Sequence, residues 1–258
     1  MLHTDVTDRV ATVRLDHGKA HALDLKLVGA FRDTLAGLAR NEAAHAVVLT
    51  GTGRIFSAGV DLYRLVREGA GYIDRFVPVM IDAFRELFTF PRPVVAAVNG
   101  HAIAGGCVLA CACDYRVMAR TDATIGVPEL KVGVPFPVMA IEILRFATST
   151  AHLQELVYRG KTYGVDEAYE RGLVDEVVDA DQLLARAGQI ARQLASEPAA
   201  RFRITKRQLR RPALDRMGTL AVETDADVVA AWKDPETLAA ISVYLASLKR
   251  ARSATGAS

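Results

Sequence analysis

The sequence has no run of eighteen apolar residues, and its first residues, Met1–Asp5, show no basic segment followed by an apolar one. It therefore gives no sign of a membrane-spanning helix or of a secretory leader. We expect a soluble protein of the cytoplasm that has no membrane partner.

An excess of one charge is also missing, since 32 Lys and Arg residues face 30 Asp and Glu residues, for a net charge of +2. No basic stripe or recognition motif is present, so nucleic acid is not an expected partner. A basic cluster is formed by Lys206–Arg207 with Arg210–Arg211. We interpret it as the solvated face of a helix, with a contact to an anionic phosphate group as the alternative.

Cysteine is scarce, and the three residues Cys107, Cys111 and Cys113 share one apolar segment. Two cysteines four residues apart on a helix lie on one face but do not form a good disulfide. A structural metal would need a fourth ligand and usually a different spacing. We expect no metal and interpret the three thiols as small buried side chains.

Strand and helix patterns alternate through the first 178 residues. The predicted strands are 10–15, 46–50, 93–98 and 115–119, and the predicted helices are 24–39, 73–88, 107–113 and 135–146. This alternation is typical of a parallel sheet in an α/β protein. The later part reads as helices at 181–195, 199–209, 214–232 and 234–250.

The change from alternating to helical patterns indicates two regions, residues 1–195 and residues 196–258. The boundary is soft and lies near 195–212, where Pro198 and Pro212 interrupt the helical pattern. The small polar segment Ser253–Ser258 is predicted to be disordered.

Two corners between a strand and the next element carry small residues. Gly105 and Gly106 open the helix after strand 93–98, and Ala58–Gly59 lies in the turn after strand 46–50. The first N–H groups of a helix have no intrahelical acceptor and favour negative charge. Two such amides would suit an oxygen that becomes negative during a reaction. The alternative is that these glycines, with Gly53, are ordinary turn residues.

Four segments carry a family resemblance in chain order. They are GKAHALDLKL (18–27), IFSAGVDL (55–62), NGHAIAGGCVLACACDYRVMA (99–119) and VPELKVGVPFP (127–137). Together they resemble the motifs of the crotonase, or enoyl-CoA hydratase/isomerase, superfamily over about residues 10–178, and residues 204–207 are similar to a common later helix.

The resemblance implies a fold, a substrate and an assembly. The fold is a spiral of ββα units with a helical C-terminal part. The substrate is an acyl-CoA thioester, so that coenzyme A belongs to the substrate and no cofactor is needed. The assembly is a homotrimer or a dimer of trimers, in which residues 196–258 serve oligomerisation and cover the active site.

The resemblance also assigns roles to nine residues. The amides of Val60 and Gly105 correspond to the oxyanion hole, and Glu129 matches a catalytic glutamate. The positions expected to contact coenzyme A or the acyl group are Ala22, Ala58, Leu62, Arg64, Gly106 and Val108. Chemistry beside a thioester proceeds through an enolate, which needs both oxyanion donors and an acid or base next to the carbon.

Val108 stands where the hydratases carry another catalytic glutamate. A lone carboxylate suits the transfer of one proton between two carbons, so we expect isomerisation of a 3-enoyl-CoA to a 2-enoyl-CoA. An apolar neighbour would also raise the pKa of Glu129.

One alternative is a hydratase whose second acid comes from elsewhere in the chain. The candidates for that acid are His17, Asp82, Glu86 and Glu142. The other alternative is a non-catalytic acyl-CoA-binding protein.

Other motif positions are interpreted without a catalytic role. Asp61 and Asp114 read as turn or capping residues, and His21 and His101 as polar loop contacts. Ala104 replaces one glycine of the family's GGG, and Tyr63 stands where a basic residue is often found, which leaves the phosphate contacts open. The stripe of Ile73, Phe76, Val77, Met80 and Phe84 reads as core, although the corresponding family helix can line the acyl tunnel.

Two other enzyme classes are disfavoured. Ser57 lacks the first glycine of a G-x-S-x-G serine hydrolase motif. Gly100, Gly105 and Gly106 do not have the G-x-G-x-x-G spacing of a dinucleotide-binding turn.

Overall fold

The computed structural model describes residues 1–254. Its strands are β1 (Leu2–Thr7), β2 (Val10–Leu15), β3 (Ala46–Gly51), β4 (Ile55–Ser57), β5 (Val94–Val98), β6 (His101–Ile103), β7 (Tyr115–Ala119), β8 (Ile125–Gly126), β9 (Thr162–Tyr163) and β10 (Glu176–Val178). Its helices are α1 (Leu25–Arg40), α2 (Leu62–Glu68), α3 (Ala70–Phe88), α4 (Gly105–Ala112), α5 (Glu129–Val132), α6 (Val138–Ala147), α7 (Thr150–Arg159), α8 (Val165–Glu170), α9 (Leu183–Leu194), α10 (Ala199–Lys233) and α11 (Pro235–Ala254).

The strands form two sheets. The larger has the order β1-β2-β3-β5-β7-β10 and is parallel except for the β1–β2 pair. The smaller has the order β4-β6-β8-β9 and is parallel except for the β8–β9 pair. The predicted parallel sheet of an α/β protein is confirmed. Strand β1 was not predicted, because its residues are mostly exposed. The strands of two or three residues were not predicted either, because they are too short to show a hydrophobic period.

Helices cover both faces of the larger sheet, which explains its unbroken apolar strands. Ala46, Val48 and Val95 pack with Leu183 and Ile190 of α9 on one face. The intervening strand residues pack on the other face in a larger core, which also holds the buried residues of α1, α3 and α4. The long helices α10 and α11 then pack on the outside of this core, α10 against α3 and α6, and α11 against α2.

The helical part differs from the prediction at Pro212. The structure has one helix, α10, across residues 199–233, and Pro212 lies inside it, whereas Pro198 occupies its N-cap. The predicted interruption between 209 and 214 is therefore wrong. Pro212 is exposed, and Lys206, Arg210, Ala213 and Met217 bury one continuous face on either side of it. The tertiary contacts of that face hold the helix together where local propensity would end it.

The last helix also extends beyond its prediction. α11 continues to Ala254, two residues into the segment predicted to be disordered, and the remaining residues 255–258 lie outside the described part of the chain. No helix in residues 1–254 is both long enough and apolar enough to cross a membrane. The division into residues 1–195 and 196–258 stays a prediction.

Candidate active site

The first predicted corner follows β4 and is held by a parallel bridge between Leu23 and Val60. The Leu23 N–H donates to the Gly59 carbonyl at 2.7 Å, and the Asp61 N–H donates to the Leu23 carbonyl at 3.0 Å. In this pattern Leu23 uses both of its polar groups on the two neighbours of Val60. The Val60 N–H therefore points away from Leu23 and is left for another acceptor.

The second corner is the start of α4. Gly105 is its first residue, so the Gly105 N–H has no acceptor within the helix. Ala104 precedes it as the N-cap with φ 54° and ψ −127°, a conformation that favours glycine. Asn99, which follows β5, binds the turn between β3 and β4, because its Oδ1 accepts from the Gly51 N–H at 2.8 Å and its amide donates to the Gly53 carbonyl at 3.0 Å.

The two corners touch at Gly59. A Cβ atom on Gly59 would lie 2.8 Å from the Gly105 nitrogen and 2.7 Å from the Ala104 Cβ, and Gly59 has φ +77°. Only glycine fits there without displacing the second corner. The sequence predicted that Val60 and Gly105 act together, and the fold brings their neighbouring backbone into direct contact.

A cavity of about 690 Å³ opens beside this contact. The predicted site residues that line it are Ala22, Ala58, Val60, Leu62, Arg64, Gly105, Val108 and Glu129. Gly106 does not line it. A Cβ atom on Gly106 would lie 2.2 Å from the Ser57 carbonyl oxygen, so this glycine allows α4 to pack on β4 and does not face the cavity.

Glu129 begins the one-turn helix α5 and faces the cavity. The residue is half-buried, but its Oε2 is buried and has no hydrogen-bond partner among the described residues. Burial of the carboxyl raises its pKa to about 8, although its own backbone N–H offsets part of the shift. A carboxyl with this pKa gives and takes a proton near neutral pH.

The rest of the cavity is mainly apolar. Met80 and Phe84 line it from α3, whereas Ile73, Phe76 and Val77 of the same stripe lie in the core. Part of the stripe therefore lies in the core, as predicted, and part lines the cavity, whereas its contact with an acyl chain stays a prediction. Other large apolar and aromatic side chains of the wall include Val132, Val134, Phe136, Trp232, Tyr244, Leu245 and Leu248.

A model of the enoyl-CoA hydratase/isomerase family matches residues 5–244. The chain belongs to this family. A putative enoyl-CoA hydratase of Thermus thermophilus is 34% identical over 204 residues, which cover 78% of this chain and 80% of the relative. Carnitinyl-CoA dehydratase of Escherichia coli K12 is 32% identical over 196 residues, which cover 76% of this chain and 74% of the relative.

The solved structures agree with this family assignment. An enoyl-CoA isomerase of Mycobacterium tuberculosis, solved without ligand, matches with a TM-score of 0.80 at 29% identity, covering 89% of this chain and 97% of that one. The crotonase fold and the class of acyl-CoA enzymes, as predicted, are confirmed. The names of these three proteins include hydration, dehydration and isomerisation, so they do not decide between the reactions.

Hydratases of this family would need a second acid, and the structure places the four candidates differently. Asp82 and Glu86 bind Arg32 on the outer side of α3. Glu142 is buried between Arg145 and Arg216. None of these three lines the cavity. His17 is the one of the four that does.

His17 belongs to a cluster of polar side chains that lines the cavity together with Asp24 and Arg64. Its Nε2 lies 3.0 Å from Asp24 Oδ2, and Arg64 lies 3.4 Å from the same oxygen. Burial would raise the pKa of Asp24, but the Leu27 amide, His17 and Arg64 together lower it. Asp24 is therefore an anion that holds His17 and Arg64. Sequence reasoning missed this role, because an aspartate at the start of a helix is typically an N-cap, which Asp24 also is.

The expected contact of Arg64 with coenzyme A stays a prediction. Its guanidinium lies within 4 Å of three carboxylates, on Asp24, Asp61 and Glu68, and these would compete with a phosphate. Lys19, an exposed cation that lines the same cavity, was not singled out from the sequence. Its position within the GKAHAL motif was the available signal.

The remaining polar motif residues have structural partners. Asp61 caps α2 by accepting from the Arg64 N–H, as predicted. His21 is held between the His17 N–H and the Thr52 carbonyl, and His101 accepts from the Thr124 N–H. Within residues 1–254 no group of three or more His, Cys, Asp or Glu side chains is arranged to hold a metal ion.

Asp114 and the basic cluster differ from their predictions. Asp114 is not only a capping residue, because it accepts from the Val94 N–H and pairs with Lys206 and Arg210 of α10. The interpretation of the cluster as a solvated face is wrong for these two cations, which are buried, and holds for Arg207 and Arg211, which are exposed.

Proposed function

We propose that this protein converts a 3-enoyl-CoA to a 2-enoyl-CoA, with Glu129 as the acid/base. The observation that carries the proposal is a single carboxyl of raised pKa in an apolar cavity, with Val108 where a hydratase has its other glutamate. Support also comes from the contact between the two corners beside this cavity, because Val60 and Gly105 both line it and their amides would bind one thioester oxygen.

The proposed reaction has two proton transfers. The thioester oxygen accepts from the Val60 and Gly105 amides, and the Glu129 carboxylate takes a proton from C2. The electron pair of that C–H bond passes into a dienolate whose charge rests on the thioester oxygen. The protonated Glu129 then gives its proton to C4, the thioester carbonyl re-forms, and the double bond lies between C2 and C3.

The environment of Glu129 favours this role. A carboxylate of ordinary pKa is a weak base toward carbon, and burial makes it stronger by disfavouring its charged form. Its buried Oε2 makes no hydrogen bond within the described chain, so no partner there stabilises the charged form of the carboxyl.

Hydration is the second candidate function. The observation in its favour is His17, which lines the same cavity and is oriented by Asp24. The relatives named as a hydratase and a dehydratase also support it.

The test is turnover of a panel of 2-enoyl-, 3-enoyl- and 3-hydroxyacyl-CoA thioesters, followed by mass and by the absorbance of the conjugated thioester. A shift of the double bond without a mass change supports isomerisation, and gain of water by the 2-enoyl thioester supports hydration instead. Binding of the thioesters without turnover would leave the protein a non-catalytic acyl-CoA-binding member of the family.

The residue assignment is tested by Glu129→Gln, with the exposed Glu170→Gln as the matched control. We expect Glu129→Gln to lower kcat by about 10²-fold or more, with acyl-CoA affinity nearly unchanged. Full activity of this variant would assign the proton transfer to another group. A structure with a bound acyl-CoA should place the thioester oxygen within hydrogen-bond distance of both amides.

A further inference from the structure

The segment that joins α5 to α6 is held from α10 by two hydrogen bonds. Trp232 donates through its indole N–H to the Pro135 carbonyl at 2.8 Å. Asp225 Oδ1 accepts from the Val138 N–H at 3.0 Å. Asp225 and Trp232 are seven residues apart, or about two turns, so they reach the segment from the same side of α10.

The Gly133 and Val134 N–H groups donate to carbonyls of α5, but the residues that follow have few backbone donors. Prolines at 135 and 137 have no N–H to donate. Val138 is the first residue of α6, and the N-cap of that helix makes no side-chain hydrogen bond to it. Asp225 therefore satisfies, from another helix, a donor that an N-cap side chain normally satisfies.

The same segment and the same tryptophan form part of the cavity wall. Val134, Phe136 and Pro137 line the cavity, and so does Trp232, which is only 4% exposed. Because the indole N–H is bonded to Pro135, the ring offers the cavity only apolar surface. A charged or strongly polar group at this wall would lose its hydration without gaining a partner.

We propose that Trp232 is a specificity-determining residue that contacts the acyl chain, and that Asp225 is a positioning residue that keeps this wall in place. The substrate class is then an acyl-CoA with an uncharged, apolar chain. This inference rests on the proposed binding of acyl-CoA, but not on the direction or identity of the reaction.

The chain contains a single tryptophan, so its fluorescence reports on this wall alone. We would titrate the protein with free coenzyme A and with saturated acyl-CoAs of two to twelve carbons, following emission and, in parallel, heat of binding. Free coenzyme A should bind without changing the emission, and longer chains should change it. Affinity should rise about fourfold for each methylene that enters the cavity.

Three outcomes of this titration are distinct. Heat of binding from long-chain acyl-CoAs with unchanged emission overturns the proposal, because Trp232 then does not meet the chain. Absence of binding by every thioester overturns both this inference and the proposed function. A chain-dependent change of emission in a protein that turns over no enoyl-CoA supports this inference while removing the proposed function.

Variants test the two hydrogen bonds. Trp232→Phe and Asp225→Ala should each weaken octanoyl-CoA binding by about tenfold and leave free coenzyme A unchanged. Asp225→Asn keeps an oxygen acceptor and should restore most of the affinity, and the exposed Asp227→Ala is the control on the same helix. Equal losses for coenzyme A and octanoyl-CoA would contradict a role at the chain. If a variant does not fold, the fluorescence of the unmodified protein still decides.

Discussion

Ala104 is the residue whose backbone departs most from its preferred conformation near the proposed oxyanion hole. It has φ 54° and ψ −127° directly before Gly105, at a position where the family motif has glycine. An L-residue held in such a region costs on the order of 1–3 kcal/mol. We expect Ala104→Gly to stabilise the protein by about 1 kcal/mol, because relief of this strain outweighs the added freedom of the unfolded chain. Urea denaturation measures the change, and a loss of stability would show that Ala104 is not strained.

Glu129 should make the proposed activity depend on pH. Because burial raises its pKa to about 8, most of the enzyme at pH 7 carries a protonated Glu129 that cannot act as the base. We expect kcat/KM for a 3-enoyl-CoA to rise with pH and to level off above a midpoint near 8. Rate measurements between pH 5.5 and 10 test this, and a midpoint near 4.5, the ordinary value, would show that the carboxyl is not desolvated.

The raised pKa of Glu129 also makes the free energy of unfolding depend on pH, which gives an independent check. Between about 4.5 and 8 the folded protein holds a proton that the unfolded chain releases. Stability from this group is therefore fully present below pH 4.5 and is lost as pH rises through 8. Relative to Glu129→Gln, which has no proton to lose, the unmodified protein should become less stable by a few kcal/mol from pH 5 to pH 9, with the partial exposure of the residue reducing the figure.

Residues within motifs could be predicted from the sequence, and residues brought in by packing could not. Val60, Gly105 and Glu129 lie in short segments whose order along the chain points to a shared site, and all three line the cavity. Trp232 lies more than 90 residues from the segment it bonds, and no local pattern records such a contact.

At the scale of elements, buried cations join α10 to α3 and α4. Arg210 donates to the carbonyls of Phe88, Ala112 and Cys113, at the C-terminal ends of the two shorter helices, and pairs with Asp114 at 2.8 Å. Burial lowers the pKa of the neighbouring Lys206 to about 8, although Asp114 offsets part of the shift. These contacts anchor the helix whose first amide, on Gly105, belongs to the proposed oxyanion hole.

The basic cluster offers a matched pair for testing this anchor. Arg210→Ala should destabilise the protein by about 3–5 kcal/mol, because it leaves Asp114 and several carbonyls with fewer partners in the interior. Arg211→Ala removes the neighbouring exposed arginine and should leave the unfolding midpoint unchanged. Thermal denaturation of the two variants measures the difference, and equal midpoints would contradict the buried anchor.

Sequence reasoning predicted the elements of this region better than their connections. The helical pattern on both sides of Pro212 was correct, but a proline was taken as an interruption. Two of four clustered charges were assigned to solvent although they face the core. In both cases a partner distant in sequence decides the outcome, here the buried surface under α10 and the carboxylate of Asp114.

At the scale of the molecule, we expect the protein to assemble as a trimer or a dimer of trimers. The single chain leaves several large apolar side chains exposed, among them Tyr158 (71%), Leu209 (64%), Val222 (85%) and Val243 (67%). Such side chains would be buried where they lie in a subunit interface. Sedimentation at micromolar concentration should give three or six times the mass of one chain, and a stable monomer would contradict the expectation.

The walls of the cavity come from segments that are far apart in the chain. These segments are therefore synthesised at different times. A ribosome delivers residues 1–178 first, and they contain both corners, Glu129 and the β-sheets. Trp232, Tyr244, Leu245 and Leu248 emerge only later. A nascent chain whose sheets had already folded would expose the apolar wall of this cavity to the medium until the last helices arrive. During that interval, chaperones that bind apolar surface would have access to the cavity.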